Sequence, residues 1–150
     1  MKILFPVVRS TDVSEKFAAY VKTVGMMNNA ELHLMRVEPP SAYIESRLKE
    51  DEKWLAEFSA DHFADYPQVV LKAIPGDPAD EILKYIDDAE IDLVIMGTHG
   101  RRGMSSMIFG SVTSSVAKLS PAPVLSMNPY RKRKVGEIKL GTECFDFSCT

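Results

Sequence analysis

Residues that commonly bind phosphate are concentrated in one short segment of the chain, residues 97–111, with the sequence GTHGRRGMSSMIFGS. The segment directly follows the apolar run LVIM and contains four glycines, two adjacent arginines and a histidine. Glycines permit turns in which successive N–H groups point inward, and a helix N-terminus attracts anions through its free N–H groups and its dipole. The spacing is therefore typical of a phosphate site, provided that a helix begins near Ser111.

The same segment lacks both common nucleotide-binding fingerprints. The P-loop pattern G-x-x-x-x-G-K-[ST] is absent, and the glycines of GTHGRRG are spaced G-x-x-G-x-x-G rather than G-x-G-x-x-G. A flexible connector is thus the alternative to a phosphate site, and the residues alone leave both open. The run from Met107 to Phe109 is apolar, which favours packing over ligand binding.

The elements that must position this segment are predicted strands and helices in alternation. Apolar or alternating runs predict five strands, at residues 2–8, 30–37, 68–74, 91–96 and 122–127. Apolar residues at helical spacing predict helices over 11–28, between Pro40 and Pro67, over 77–90, and from Ser111 onward. The third helix has a strong start, with Asp77 as its cap and Pro78 as its first residue. This alternation predicts an α/β fold, an open parallel sheet with helices on both faces.

The long second helix is predicted to be amphipathic. Ile44, Leu48, Leu55 and Phe58 share one of its faces, and we expect that face to be buried.

Length and charge exclude several classes of protein. A chain of 150 residues with 45% hydrophobic content suits one globular domain. We expect this domain at 1–129 and a tail at 130–150, where the periodic pattern lapses after the basic run 131–134. The net charge of −3 argues against nucleic-acid binding. No apolar stretch approaches the roughly 20 residues of a membrane span, and Pro6 and Arg9 cut the apolar start short of a secretory core. We therefore expect a cytoplasmic protein that binds no membrane.

No cluster of side chains predicts a metal site, a disulfide framework or a catalytic centre. Cys144 and Cys149 both lie within the last seven residues, and the three histidines are scattered without zinc-ligand spacing. His33 alternates with leucines, which is typical of an ordinary strand residue. No nucleophile stands with an evident base and orienting group, so we predict no catalytic residues and no metal ligands.

The segment LVIMGTHGRRGMSSMIFGSVTSSVAKLSPAPVLSM resembles the universal stress protein family. Its nucleotide-binding branch carries the motif G-x2-G-x9-G-[ST], which maps without a gap onto Gly97, Gly100, Gly110 and Ser111. KILFPVV, LHLMRV and GDPADEILKYIDDAEIDLVIMG are similar to further elements of the family. Together these segments extend the resemblance over nearly all of residues 1–129.

The resemblance implies a Rossmann-like fold of the adenine nucleotide alpha hydrolase type, a single domain with a five-stranded parallel sheet of order 3-2-1-4-5. It implies an adenine nucleotide as ligand, ATP with or without Mg²⁺, and a homodimer formed through the fifth strand, Ala122 to Met127. The implied nucleotide-binding residues are Pro6, Val7, Val8 and Val37 at the base, Met96 and Gly97 on the ribose side, and Gly100, Arg101, Arg102, Gly103, Gly110, Ser111, Val112 and Thr113 around the phosphates.

One departure from the family pattern lies at the first strand. Family members commonly carry an aspartate two residues after the proline of that strand, where it contacts the nucleoside, but this chain has Val8 there. Either Asp12, the nearest acid, returns to the site or that polar contact is absent. Three functions therefore stay open: an ATP-binding stress or regulatory module with at most slow hydrolysis, a dimeric interaction protein that binds no nucleotide, and a phosphohydrolase.

Overall fold

The computed structural model describes residues 1–9, 13–97 and 110–127 of the chain. Strands and helices alternate along these residues, as predicted. In chain order they are β1 (Lys2–Pro6), α1 (Val13–Met27), β2 (Glu31–Glu38), α2 (Ile44–Phe63), β3 (Val69–Pro75), α3 (Pro78–Asp88), β4 (Leu93–Gly97), α4 (Ser111–Leu119) and β5 (Val124–Met127).

The strands form one five-stranded parallel sheet of order β3-β2-β1-β4-β5. This confirms the predicted α/β fold class and the strand order that the resemblance implied. Strand β1 is central and pairs with β2 on one side and β4 on the other. The strand order therefore reverses at β1, and in open α/β sheets ligands bind beyond the carboxyl ends of the strands at such a point.

Apolar side chains on the two faces of the sheet form separate cores. Ile3 and Phe5 of β1 belong to the core that α1 and α2 cover, whereas Leu4 belongs to the core that α3 and α4 cover. This division follows from the alternation of side chains along a strand. Because β1 has a helical layer on each face, its residues from Ile3 to Pro6 are all apolar, as expected for the centre of a parallel sheet.

The start of α3 agrees with its sequence. Asp77 caps the helix, since its Oδ1 accepts hydrogen bonds from the N–H groups of Ala79 at 2.9 Å and Asp80 at 3.2 Å, and Pro78 is the first helical residue. Ile82 and Ile86 lie one turn apart and are buried against the sheet. This anchoring places the N-terminal end of α3 beside the carboxyl ends of β1 and β2.

The apolar face predicted for α2 is only partly correct. Leu55 and Phe58 are buried, and Ile44 and Leu48 are half-buried. Asp51 lies on the same side and is only 1% exposed, so the buried face of α2 includes a carboxylate. The charged partners of that carboxylate come from β2 and from the end of β1.

His33 is a structural residue of β2, as predicted. Its ring is buried, with Nδ1 2.8 Å from the Tyr85 hydroxyl and Nε2 2.7 Å from a Glu31 carboxylate oxygen.

Within the described residues there is no helix with the length and hydropathy needed to cross a membrane. The predicted tail at 130–150, with both cysteines, lies outside the described residues.

Candidate functional site

A cavity of about 340 Å³ opens at the carboxyl ends of β1, β2 and β4. It lies where the strand order reverses, between those strand ends and the N-terminal ends of α3 and α4. All of the predicted site residues that the structure describes line it. These are Pro6, Val7, Val8, Val37, Met96, Gly97, Gly110, Ser111, Val112 and Thr113. Gly100, Arg101, Arg102 and Gly103 fall in the segment 98–109, outside the described residues.

Several lining residues were not predicted from the sequence. They are Phe5, Ser14, Met35, Arg36, Pro78 and Ile82. The apolar members could have been found from the topology, because they lie in the strands and the helix that meet at this edge. Nothing in the sequence around Ser14 or Arg36 distinguishes them from ordinary surface residues of a helix and a strand.

The backbone of Val8 is bound by Ser14 rather than by a neighbouring strand. The Ser14 hydroxyl accepts a hydrogen bond from the Val8 N–H at 2.9 Å and lies 3.4 Å from the Val8 carbonyl oxygen, to which it donates. Ser14 is 3% exposed. Strand β1 therefore stops pairing at this point, and the position where the family commonly has an aspartate presents an apolar side chain. Asp12, the acid expected to return to the site if any does, lies outside the described residues.

The N-terminal end of α4 supplies the polar end of the cavity. Gly110 is the N-cap, and its side chain can make no capping bond, while the first turn contains no acidic residue. The first intrahelical bond runs from the Ser114 N–H to the Gly110 carbonyl at 2.9 Å. The N–H groups of the three preceding residues have no acceptor within the helix, and they carry the positive end of the helix dipole. Such an end favours an anion.

The opposite end of the cavity is apolar. Val7, Met35, Val37, Ile82 and Met96 line it, and each is at most 5% exposed. A site that joins an apolar pocket to a helix N-terminus suits a ligand with a flat hydrophobic ring and an anionic group.

Arg36 is the charged side chain among the described residues of this cavity. Its guanidinium is held by three groups: Nη1 donates to the Val37 carbonyl at 2.9 Å, Nη2 donates to Glu38 Oε2 at 2.8 Å, and Nε lies 3.4 Å from Asp51 Oδ2. Arg36 also lines a second, polar cavity of about 570 Å³, so it contributes to the walls of both an apolar cavity and a charged one.

The charged groups around Arg36 compensate one another. Glu38 Oε1 accepts a hydrogen bond from Arg47 at 2.7 Å, and Asp51 Oδ1 lies 3.4 Å from an Arg9 nitrogen. Glu38 is 5% exposed. The hydrogen bond from Arg47, aided by the charge of Arg36 and opposed by burial, lowers the pKa of Glu38 from its ordinary value. The ionised form of Glu38 is therefore favoured in the folded protein.

We expect Glu38→Gln to lower the free energy of unfolding at pH 7 by roughly 1–3 kcal/mol, because it removes a buried, charge-assisted partner of two arginines. A carboxyl whose pKa is lower in the folded than in the unfolded chain stabilises the fold above its unfolded pKa, and this contribution is lost as the pH falls through the folded pKa. The difference between variant and wild type should thus shrink as the pH falls below the ordinary value of 4.5.

Urea unfolding at a series of pH values from 7 to 3 measures this difference. Glu57→Gln is the matched control, since Glu57 is an exposed residue of α2 whose ion pair with Lys53, at 3.9 Å, joins two exposed side chains. It should change stability little at any pH. A difference for Glu38→Gln that stays constant down to pH 3 would contradict the assignment.

Comparison with known proteins identifies the family. The sequence profile of the Universal stress protein family matches residues 1–127, which is most of the chain. This chain belongs to the universal stress protein family. The cavity of this universal stress protein therefore lies within the matched region, at the end of the sheet where its glycine-rich segment begins.

Individual relatives match over shorter or longer segments. Universal stress protein MJ0577 of Methanocaldococcus jannaschii is 42% identical over 52 residues, which are 35% of this chain and 32% of the relative. Universal stress protein YxiE of Bacillus subtilis is 40% identical over 50 residues, 33% of this chain and 34% of the relative. The chain thus aligns with about a third of the length of these curated relatives. A Thermus aquaticus universal stress protein is 29% identical over 125 residues, 77% of this chain and 90% of the relative.

Solved structures agree with the fold. The structure of MJ0577 superposes with a TM-score of 0.71 at 28% identity, covering 85% of this chain and 94% of that one. A universal stress protein from Archaeoglobus fulgidus in complex with dAMP has a TM-score of 0.64 at 16% identity and covers 84% of this chain and 96% of that one. A universal stress protein in complex with cAMP has a TM-score of 0.62 at 23% identity, with coverages of 85% and 96%. Some proteins of this fold therefore bind adenine nucleotides.

Proposed function

We propose that this universal stress protein binds an adenine nucleotide, with ATP as the principal ligand, in the cavity at the carboxyl ends of β1, β2 and β4. The observation that carries the proposal is the continuity of an apolar pocket with the uncapped N-terminal end of α4. The pocket accepts a purine ring by burial of apolar surface, and the helix end binds phosphate. The complexes of structural relatives with dAMP and cAMP support the same ligand class.

The orientation of the nucleotide follows from the two ends of the cavity. The base lies against Pro6, Val7, Val8 and Val37, and the ribose lies beside Met96 and Gly97. The phosphates then reach the residues at the start of α4 and the preceding glycine segment. That group consists of Gly100, Arg101, Arg102, Gly103, Gly110, Ser111, Val112 and Thr113. We expect any Mg²⁺ to bind together with the triphosphate.

A binding and regulatory role suits this cavity better than rapid hydrolysis. Among its described lining residues there is no aspartate, glutamate or histidine that could act as a general base. We propose a cytoplasmic stress-response module that responds to nucleotide, with hydrolysis slow if it occurs. The phosphohydrolase hypothesis would need a base from outside the described residues, where Asp12 and His99 are the candidates.

The alternative is an interaction protein of the same fold that binds no nucleotide. Val8 favours it, because the site has an apolar side chain where the family commonly has an aspartate, and a polar contact worth about 0.5–1.5 kcal/mol, or more if charged, is then missing. Both hypotheses include a homodimer formed through β5, at the edge of the sheet. The residues of β5 are half-buried, and Leu119 at the end of the preceding helix α4 is 69% exposed, which supports a partner on this side of the sheet.

Gentle purification followed by nucleotide extraction and mass analysis tests the proposal, together with calorimetric titration of ATP into protein freed of nucleotide. We expect a bound adenine nucleotide and saturable ATP binding. No extracted nucleotide and no binding at millimolar ATP would overturn the proposal, and a dimer in that sample would support the interaction protein. Steady ATP turnover that His99→Ala or Ser111→Ala abolishes would instead support the phosphohydrolase.

A further inference from the structure

The peptide group of Val37 faces the cavity rather than a neighbouring strand. Along β2, the Met35 carbonyl accepts from the Val7 N–H of the β1 side at 2.9 Å, and the Glu38 carbonyl accepts from Gly76 on the β3 side at 3.0 Å. Peptide groups alternate in direction along a strand, so Val37 faces the same side as Met35. The last β1–β2 pair is Pro6 with Met35. The Val37 N–H and carbonyl therefore lie beyond the end of β1, at the edge of the cavity.

The carbonyl of this peptide group accepts a hydrogen bond from an arginine. Arg36 Nη1 donates to the Val37 carbonyl at 2.9 Å. At the free edge of β2, the Val37 N–H and the Arg36 guanidinium are both hydrogen-bond donors. The Val37 carbonyl, which is the acceptor at this edge, already accepts a hydrogen bond from the charged guanidinium. A ring that offers a hydrogen-bond acceptor at this edge gains a charge-assisted partner, and a ring that offers an amino group must share the Val37 carbonyl with the arginine.

The guanidinium is held in this position by buried carboxylates. Nη2 is bound to Glu38 and Nε faces Asp51, and the side chains of these two acids are 6% and 2% exposed. Moving the guanidinium off the Val37 carbonyl would take one charged partner from each of two buried carboxylates, which is costly. Arg36 therefore behaves as a fixed part of the cavity wall.

We propose that Arg36 is a specificity-determining residue that makes the site tolerant of a 6-oxo purine, so that hypoxanthine and adenine nucleotides bind with similar affinity. The inference rests on the proposed nucleotide function. In hypoxanthine the 6-oxo group accepts a hydrogen bond from the guanidinium, but its N1–H meets the Val37 N–H, a like donor. In adenine N1 accepts from the Val37 N–H, and the 6-amino group shares the Val37 carbonyl with the guanidinium. Without the arginine, that carbonyl is free to accept from adenine alone.

Paired titrations of ATP and ITP test this, because the two ligands carry the same sugar and phosphates and differ at the 6-position and the adjacent ring nitrogen. For the wild-type protein we expect dissociation constants within about threefold of each other, and for Arg36→Met we expect ATP to be favoured by about tenfold. The ratio of the two constants within one variant cancels any general loss of affinity. Arg47→Met is the matched control, since Arg47 binds the same Glu38 but does not line the cavity, and it should leave the ratio unchanged.

A second variant covers the case in which Arg36→Met fails to fold. Arg36→Met combined with Asp51→Asn removes both charges of the buried pair and should show the same change in ratio. An unchanged ratio in the folded variants, or an equal change in Arg47→Met, would overturn the role of Arg36 while leaving nucleotide binding intact. Failure of the wild-type protein to bind either nucleotide would overturn the proposed function itself and the inference with it.

Discussion

Ser111→Asp should weaken ATP binding by roughly 100-fold while leaving the protein as stable as the wild type or slightly more so. Ser111 is the first residue of α4, its side chain is exposed, and it lines the cavity at the end where we place the phosphates. A carboxylate there repels a triphosphate across a few ångströms. The same carboxylate interacts favourably with the helix dipole, so folding does not suffer. Binding and stability therefore move independently.

Calorimetric titration of ATP and thermal unfolding of the same samples measure the two effects. Ser114→Asp is the matched control, because it adds the same charge at an exposed position of the same helix outside the cavity lining. It should weaken binding much less. Ser111→Ala, which removes only a hydroxyl, should change affinity by a few-fold at most. Equal losses in Ser111→Asp and Ser114→Asp would show that the phosphates do not lie at the start of α4.

Gly25→Ala should destabilise the protein by about 3 kcal/mol, although an alanine ordinarily stabilises a helix relative to glycine. Gly25 lies in the last turn of α1, where an added Cβ would overlap with the hydroxyl oxygen of Tyr66 and lie 2.9 Å from its Cζ. Tyr66 is only 7% exposed, and its hydroxyl donates to the Ala30 carbonyl at 2.6 Å. The methyl group would therefore displace the ring and break a buried hydrogen bond.

Urea unfolding of a double-mutant cycle separates this mechanism from a general helix effect. In the Tyr66→Phe background the hydroxyl is absent and only the 2.9 Å approach to Cζ remains, so the added methyl group should cost less than it does in the wild type. Costs of Gly25→Ala that are equal in the two backgrounds would rule out the clash with the hydroxyl. A variant at least as stable as the wild type would show that this close approach does not restrict position 25.

The main elements could be predicted from the sequence because each depends on local chemistry. Asp77 and Pro78 mark the start of α3 through a cap and a fixed backbone angle, and the sequence alone predicts both. The apolar run before Gly97 indicated a strand buried on both faces, and β4 is that strand. Hydrophobic periodicity and turn signals depend on residues only a few positions apart, so the sequence alone is enough to recognise them.

The charged group around Arg36 could not be predicted in the same way. Asp51 lies on the buried side of α2 with Leu55, where a periodicity argument expects an apolar residue. Its burial is explained by two arginines from other parts of the chain, Arg36 of β2 and Arg9 beyond β1, which form ion pairs with it. Ser14 is a similar case, because its hydroxyl replaces a strand partner for Val8.

The sequence by itself therefore determined the order of the elements, the class of the fold and, through the glycine spacing, the end of the sheet where a ligand is expected. These depend on residues close together in the chain. Only the tertiary structure decided which groups face that ligand: the cavity joins the start of α4 to the end of β2, and Arg36 occupies the Val37 carbonyl. Such contacts join residues that are distant in the sequence, so no local sequence pattern predicts them.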